Sequence, residues 1–263
     1  MAPSKREREL ARKQQARWEE RQRHRQERRR RIGVIVAICA IFALVAGGAV
    51  VLGLSSDDDP GPSGSATTDA AGACPAGSTE ARTGGELPDP STAEDRTWTV
   101  GLDLCVDGVT ETIELDLDGA AAPQAVASFV SLAAQGYFDD TQCHRLTTQG
   151  IYVLQCGDPT ATGTGDPGYS FGPVENAPAD DVYPAGTLAM ARQGGDAESM
   201  GSQFFLVYED STIPSDAAGG YTVFGTVTSG LDTIQAVADA GTTDGAGDGS
   251  PASPVIIEGV ETQ

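Results

Sequence analysis

Cys143-His144-Arg145-Leu146-Thr147-Thr148-Gln149-Gly150-Ile151-Tyr152-Val153-Leu154-Gln155-Cys156-Gly157-Asp158 is the stretch whose reading decides the fold. Two β-type runs, residues 143–146 and 151–155, flank a polar turn carrying Gly150, so an antiparallel hairpin is predicted. Its charge sets it apart. Beyond residue 54 the chain has 33 acidic residues, no Lys and four Arg: Arg82, Arg96, Arg145 and Arg192. A guanidinium on a strand beside Tyr152, Val153 and Gln155 is costly to hold partly out of water. Two readings fit: an Arg that pairs with one of the many carboxylates, or an Arg kept to hydrogen-bond a substrate carbonyl.

The rest of the chain divides by charge. Residues 1–31 carry 13 Lys/Arg against five Glu, a net +8, while the remainder is about −29 within an overall −21. Between the two, residues 32–54 form a 23-residue run without a charge, long enough at ~1.5 Å per residue to cross a ~30 Å hydrocarbon core. A cleaved secretory signal has a shorter apolar region and a small-residue cleavage site. The run is therefore expected to be one uncleaved transmembrane helix contacting membrane lipid. The basic flank stays cytoplasmic and the acidic part lies outside the cell membrane. The basic arm lacks aromatic interleaving apart from Trp18, so a topology signal with affinity for anionic headgroups is expected, and no nucleic-acid partner. Residues 55–94 are rich in Ser, Gly, Asp, Ala, Thr and Pro and read as a flexible extracytoplasmic linker. Cys74 is its exception, and implies that the later part is tied to the domain that follows.

The folded domain is expected over residues 95–263. Trp98, Val100, Leu102 and Leu104 alternate with smaller or polar residues. Asp107-Gly108 is a hairpin turn, and Ile113, Leu115 and Leu117 alternate in the returning strand. Pro123 suits the first turn of a helix with Val126, Phe129, Val130 and Ala133 on one face, ended by Gly136. Strands are predicted at 143–146, 151–156, 186–191, 203–208, 221–227 and 254–260, and a second helix at 231–240. Many short strands with two helices point to a mainly β barrel with helical caps. Two motifs are set aside. Gly163-Thr164-Gly165-Asp166-Pro167-Gly168 matches a dinucleotide-binding pattern, but Asp166 would repel a pyrophosphate and no helix follows, so a loop is expected. Asp244-Gly245-Ala246-Gly247-Asp248-Gly249 has incomplete calcium-ligand spacing and reads as a flexible surface turn. Neighbouring Cys143 and His144 point to opposite faces of a strand, so no metal site is expected, and no cofactor.

A family likeness rests on six pieces taken in order, two of them within the hairpin. They are Phe129-Val130-Ser131-Leu132 with Gly136-Tyr137-Phe138, His144-Arg145, Gln155-Cys156-Gly157-Asp158, Gly186-Thr187-Leu188-Ala189-Met190-Ala191, Gly201-Ser202-Gln203-Phe204-Phe205-Leu206 and Val223-Phe224-Gly225. Together they resemble the cyclophilin family of peptidyl-prolyl isomerases, in its membrane-anchored actinobacterial-like form, over roughly residues 95 to 263. The resemblance implies a closed eight-stranded antiparallel barrel capped by two helices. It also implies that Arg145 is catalytic, acting on the prolyl amide of proline-containing polypeptides. Phe205 and Val153 match the proline pocket, with Tyr152 where the family usually has Phe. Gln155 and Gln203 match groups that hold the peptide backbone, and Ala191 with Arg192 the strand along which it lies. Arg192 stands where Asn is usual, as a substrate contact or a surface charge. Ile213 and Tyr221 complete the rim. Thr212-Ile213 replaces the Trp-Leu of common eukaryotic forms, and Tyr221 replaces His. The turn between Arg145 and Gln155 is two residues longer than in those forms. Four cysteines outside the expected span allow three pairings; a family-like hairpin register implies Cys143–Cys156 and, by remainder, Cys74–Cys105.

Three functions follow for a chain expected to be monomeric. The first is an exported, tethered prolyl isomerase. The second is a cyclophilin-like peptide-binding module or chaperone without significant catalysis. The third is an acidic envelope protein whose role is indifferent to Arg145.

Overall fold

A computed structural model describes residues 73–263. The basic segment, the expected membrane span and the first part of the expected linker lie outside the described residues. Among the described residues, no helix is long and apolar enough to cross a membrane.

The two longest strands, β1 (Thr97–Val106) and β2 (Val109–Asp118), pair through the two-residue turn at Asp107 (φ 52°) and Gly108 (φ 81°). Two successive left-handed residues match the twist of a tight hairpin, which is why Asp-Gly suits this site. Val100, Leu102, Leu104, Ile113, Leu115 and Leu117 are all buried on the inner face. Helix α1 (Pro123–Ala134) buries Val126, Phe129, Val130 and Ala133, and Gly136 at φ 65° ends it. Its first turn has no side-chain cap of its own. Glu175 supplies one from a distant loop, its two carboxylate oxygens accepting from the Gln124 and Ala125 N–H groups at 3.0 Å each. A negative group there satisfies orphan donors and complements the helix dipole.

Strands β3 (Thr141–Gln142), β4 (Arg145–Gln149), β5 (Ile151–Cys156), β6 (Val182–Tyr183), β7 (Thr187–Met190), β8 (Phe204–Val207), β9 (Ser211–Thr212) and β10 (Val223–Ser229) follow. Then come α2 (Leu231–Ala240), β11 (Asp248–Gly249) and β12 (Val255–Thr262). The sheet order is β11-β4-β5-β8-β7-β10-β2-β1-β12-β3, with β6 and β9 forming a separate pair. The architecture is therefore a curled ten-stranded half-barrel sheet, where a closed barrel of eight was expected. The eight strands of four or more residues overlap the eight predicted runs, of which β1 and β2 show the alternation along their length. The additional ones are two residues each, too short to show a period. The run linking β3 to β4 touches two strands far apart in the sheet order: the Cys143 N–H donates to Val255 O on β12, and the His144 N–H donates to Gln155 O on β5. Residues 147–149, expected in a turn, instead lengthen β4, so only Gly150 separates β4 from β5.

The interior is closed by rings. Phe129 stacks on Phe138 at 5.0 Å and meets Phe204 and Phe224 at 5.4 and 5.6 Å. Cys74 is bonded to Cys105 and Cys143 to Cys156, the pairs that the resemblance implies. The expected linker is ordered from residue 73 onward, and the reason is specific bonding. Besides the Cys74 staple, the Ser78 N–H reaches Asp140 O at 2.6 Å, Arg82 donates to the carbonyls of Tyr137 (2.9 Å) and Asp139 (2.6 Å), and the Trp98 indole donates to Ala93 O at 2.9 Å. With a separation of 31 residues, removing the Cys74–Cys105 bond as a double Ser variant is expected to cost roughly 3–4 kcal/mol. Urea unfolding of the pair against wild type measures it; an unchanged midpoint would refute the staple.

Candidate functional site

Strand register builds the site. Arg145 on β4 lies opposite Gln155 on β5, which lies opposite Phe205 on β8; Phe205 is opposite Ala189 on β7, which is opposite Val223 on β10. Directly opposed residues share a face, so these five make one row across five strands. The row is polar at the Arg145 end and apolar at the other. It lies away from the main core, with a second apolar cluster of Val153, Tyr183, Ala189, Phe205, Val207 and Ile213, against which Ala191, Tyr221 and Val223 pack.

At the polar end the Arg145 side chain is 41% exposed. Its Nε donates to Asp248 Oδ1 at 2.8 Å, its Nη2 to Asp248 Oδ2 at 2.7 Å and its Nη1 to Gln155 Oε1 at 3.3 Å. The Gln155 amide donates to Gln203 Oε1 at 2.8 Å, and the Gln203 amide donates to Gly165 O at 2.9 Å. A relay thus runs from Asp248 through the guanidinium and both glutamines to a loop carbonyl. Asp248 is the participant that the sequence reading missed; its one signal was a place in a motif set aside as a surface turn. Its carboxyl is held below the usual range, chiefly by the hydrogen bonds from Arg145.

At the apolar end Phe205 meets the Tyr221 ring edge-on at 5.5 Å, and Tyr183 accepts the Tyr221 N–H at 2.8 Å. Val153, Phe205 and Ile213 are buried together in this second cluster. Tyr152 is not with them. Alternation along β5 turns its ring to the main core, 6.0 Å from Tyr208.

Arg192 lines the cleft beside the row, but its guanidinium is not a surface charge. Its side chain is 1% exposed. Nε donates to Gly220 O, Nη1 to Gln193 O and Asp216 Oδ2, and Nη2 to Asp216 Oδ1 and Gly219 O, at 2.6–3.1 Å, which uses all five N–H donors. Its guanidinium carbon sits 4.7 Å over the Tyr221 ring. It therefore acts on the pocket through Tyr221, and the hydrogen bonds from Arg192 hold the Asp216 carboxyl far below the ordinary carboxylate range.

Beside the row opens a cleft of about 580 Å³ lined by Gln155, Gln203, Ala191, Ser199 and the loop from Gly163 to Gly165. That loop is the dinucleotide-like motif, and it wraps a carboxylate of its own. Buried Asp158 accepts from the N–H groups of Thr160, Thr162, Gly163 and Gly165 and from the Thr160 hydroxyl, at 2.6–3.1 Å. A Cβ at Gly165 would come 2.0 Å from Asp158 Oδ1, so only glycine fits. Among the described residues no cluster of His, Cys, Asp and Glu is arranged to hold a metal.

His144, next to Arg145, is buried, and both ring nitrogens are without a hydrogen-bond partner among the described residues. Burial lowers its pKa, and Arg145 adds to that, against an opposing pull from Asp158. Below about pH 6.5 the unfolded chain takes up a proton that the folded ring resists, so stability falls as pH drops through that value. Urea midpoints at pH 7.5 and 5.5 should differ in wild type, and the difference should shrink in His144→Phe. An equal difference in both would assign the effect elsewhere.

A family profile described as cyclophilin type peptidyl-prolyl cis-trans isomerase/CLD matches residues 102–262. The chain is 48% identical over 158 residues to a protein of Mycobacterium leprae (strain TN) named probable peptidyl-prolyl cis-trans isomerase B, covering 56% of this chain and 52% of that one. It is 42% identical over 132 residues to peptidyl-prolyl cis-trans isomerase B of Bacillus subtilis (strain 168), covering 50% of this chain and 85% of the relative. The chain thus spans about half the length of the mycobacterial relative that it matches. A solved cyclophilin type isomerase of Cryptosporidium parvum superposes with a TM-score of 0.48 at 24% identity, over 64% of this chain and 98% of that one.

Proposed function

The chain belongs to the cyclophilin type peptidyl-prolyl cis-trans isomerase family, and from that premise we propose that it accelerates rotation about Xaa-Pro peptide bonds. The barrier, ~20 kcal/mol, comes from amide conjugation, and no covalent intermediate is needed to lower it. A site must bind the twisted amide better than either planar form. The observation that carries this reading is the row Arg145–Gln155–Phe205–Ala189–Val223. A proline ring seated on Phe205, Val153 and Ile213 brings its amide toward a permanently charged fork. Arg145 stabilises the amide as conjugation is lost, while Gln155 and Gln203 hold the flanking peptide backbone. Ala191 offers a strand edge beside them.

The domain acts outside the cell membrane in this reading, tethered as one protomer by residues 32–54 with its amino terminus in the cytoplasm. Its clients are exported proline-containing polypeptides. Two disulfides support that compartment, since such bonds persist where the environment oxidises. The second reading, a peptide-binding module without turnover, is favoured by the rim, where exposed Thr212 and half-buried Tyr221 stand in place of larger or more polar family residues. Exchange spectroscopy on an Ala-Pro tetrapeptide with the full chain separates the two. Catalysed cis-trans exchange supports the isomerase; binding without exchange supports the module.

A further inference from the structure

The segment dismissed as a surface turn is built rigidly and delivers a charge. The Thr242 hydroxyl donates to Ala246 O at 2.7 Å, the Ala246 N–H to Asp244 Oδ1 at 3.0 Å and the Thr243 N–H to Ser250 O at 2.9 Å. The turn is also fastened to β4. The Thr148 N–H donates to Gly247 O at 2.8 Å, and Asp248 and Gly249 lie opposite Thr147 and Leu146. A Cβ on Gly247 would come 2.8 Å from the Gln149 side chain, so glycine is what lets the turn approach so closely. In that register Asp248 is diagonal to Arg145 on the same face, the placement its two-pronged grip requires.

We propose that Asp248 is a positioning residue for catalysis: it fixes the plane of the Arg145 guanidinium before substrate arrives. The inference rests on the isomerase reading above and adds a residue to it. Three of the five guanidinium donors are used, two on Asp248 and one on Gln155, so one hydrogen on Nη1 and one on Nη2 stay available for the prolyl amide. Without the carboxylate, an Arg that is 41% exposed samples several rotamers, and the cost of ordering it falls on the reaction step. Asp248 itself is 55% exposed, so the pair matters through geometry more than through stability. Competition between carboxylate and substrate for the guanidinium would give the opposite sign.

The test measures kcat and KM of the full chain, with Asp248→Ala, Asp248→Asn, Arg145→Ala and the Arg145→Ala/Asp248→Ala pair. Asp248→Ala should lower kcat roughly tenfold with KM little changed. Asp248→Asn, of the same shape but with a single acceptor oxygen, should fall between it and wild type. In the Arg145→Ala background, Asp248→Ala should change nothing, because there is no fork left to hold. A loss of equal size in that background would make Asp248 merely structural, and activity at or above wild type in Asp248→Ala would show an idle or competing carboxylate. Either result overturns the proposal. Near-UV circular dichroism of Asp248→Asn guards against misfolding as the cause. A folded but inactive wild type would defeat the isomerase reading itself; an active wild type with an unaffected Asp248→Ala would defeat this inference alone.

Discussion

Arg145→Ala is expected to lower kcat/KM for Xaa-Pro isomerisation at least about tenfold, a loss of about 1.4 kcal/mol or more of transition-state stabilisation. The fall should appear in kcat more than in KM. In the proposed mechanism the apolar cluster around Phe205 binds the proline ring in ground and transition states alike, whereas the guanidinium gains only as the amide twists. Arg145→Lys should restore little. An ammonium keeps the charge but cannot grip both oxygens of Asp248 and still present two directed N–H groups to the substrate. Exchange spectroscopy measures both variants, and full activity in Arg145→Ala would remove the residue from the mechanism. Folding should be little affected, since the side chain is partly exposed and its ion pair lies at the surface.

Arg192→Ala should do the reverse, unfolding the domain more easily while touching chemistry only indirectly. The substitution deletes a side chain that is 1% exposed, takes the Nε donor from the carbonyl of buried Gly220, and leaves the Gly219 carbonyl with only the Asp216 N–H. Buried acceptors left without partners cost about 1–3 kcal/mol each where water cannot reach them, so a total of roughly 2–4 kcal/mol is expected. Arg192→Lys should recover less than half, because three donors on a point charge cannot replace a planar five-donor fork. Urea unfolding reads the loss; a midpoint within error of wild type would show that loops 193–220 hold their shape unaided. The same pair behaves predictably in acid. Asp216 is held well below its ordinary pKa, so its contribution is complete above about pH 4, where an unfolded Asp ionises, and is lost only as pH falls through the depressed value. A surviving variant should also bind peptide less well, since Tyr221 loses the cation over its ring and Phe205 loses a fixed neighbour.

Different signals carried different amounts of this. Alternation along residues 98–117 and the Asp107-Gly108 turn are local, so that hairpin was readable to within two residues. The helix beginning at Pro123 was readable for the same reason, but its cap was not, because Glu175 lies 51 residues from Gln124. The row that forms the site was half legible. Motif order pointed to Arg145, Gln155, Gln203 and Phe205, whereas the pairing that lines them up with Ala189 and Val223 is a property of sheet register. Tyr152 was misplaced because a motif match does not say which face of a strand a ring takes.

By itself the sequence determined the mainly β class, the eight long strands and two helices, the family and the position of its lone strand guanidinium, because period, turn chemistry and motif order reside in neighbouring residues. Only tertiary structure decided what the charges do. Arg145 meets Asp248 across 103 residues, and Arg192 meets Asp216 across 24. With 33 acidic residues beyond residue 54 for four arginines to choose among, composition cannot select a partner. Selection falls to strand register and loop closure, which bring Asp248 within hydrogen-bond reach of Arg145 and Asp216 within reach of Arg192.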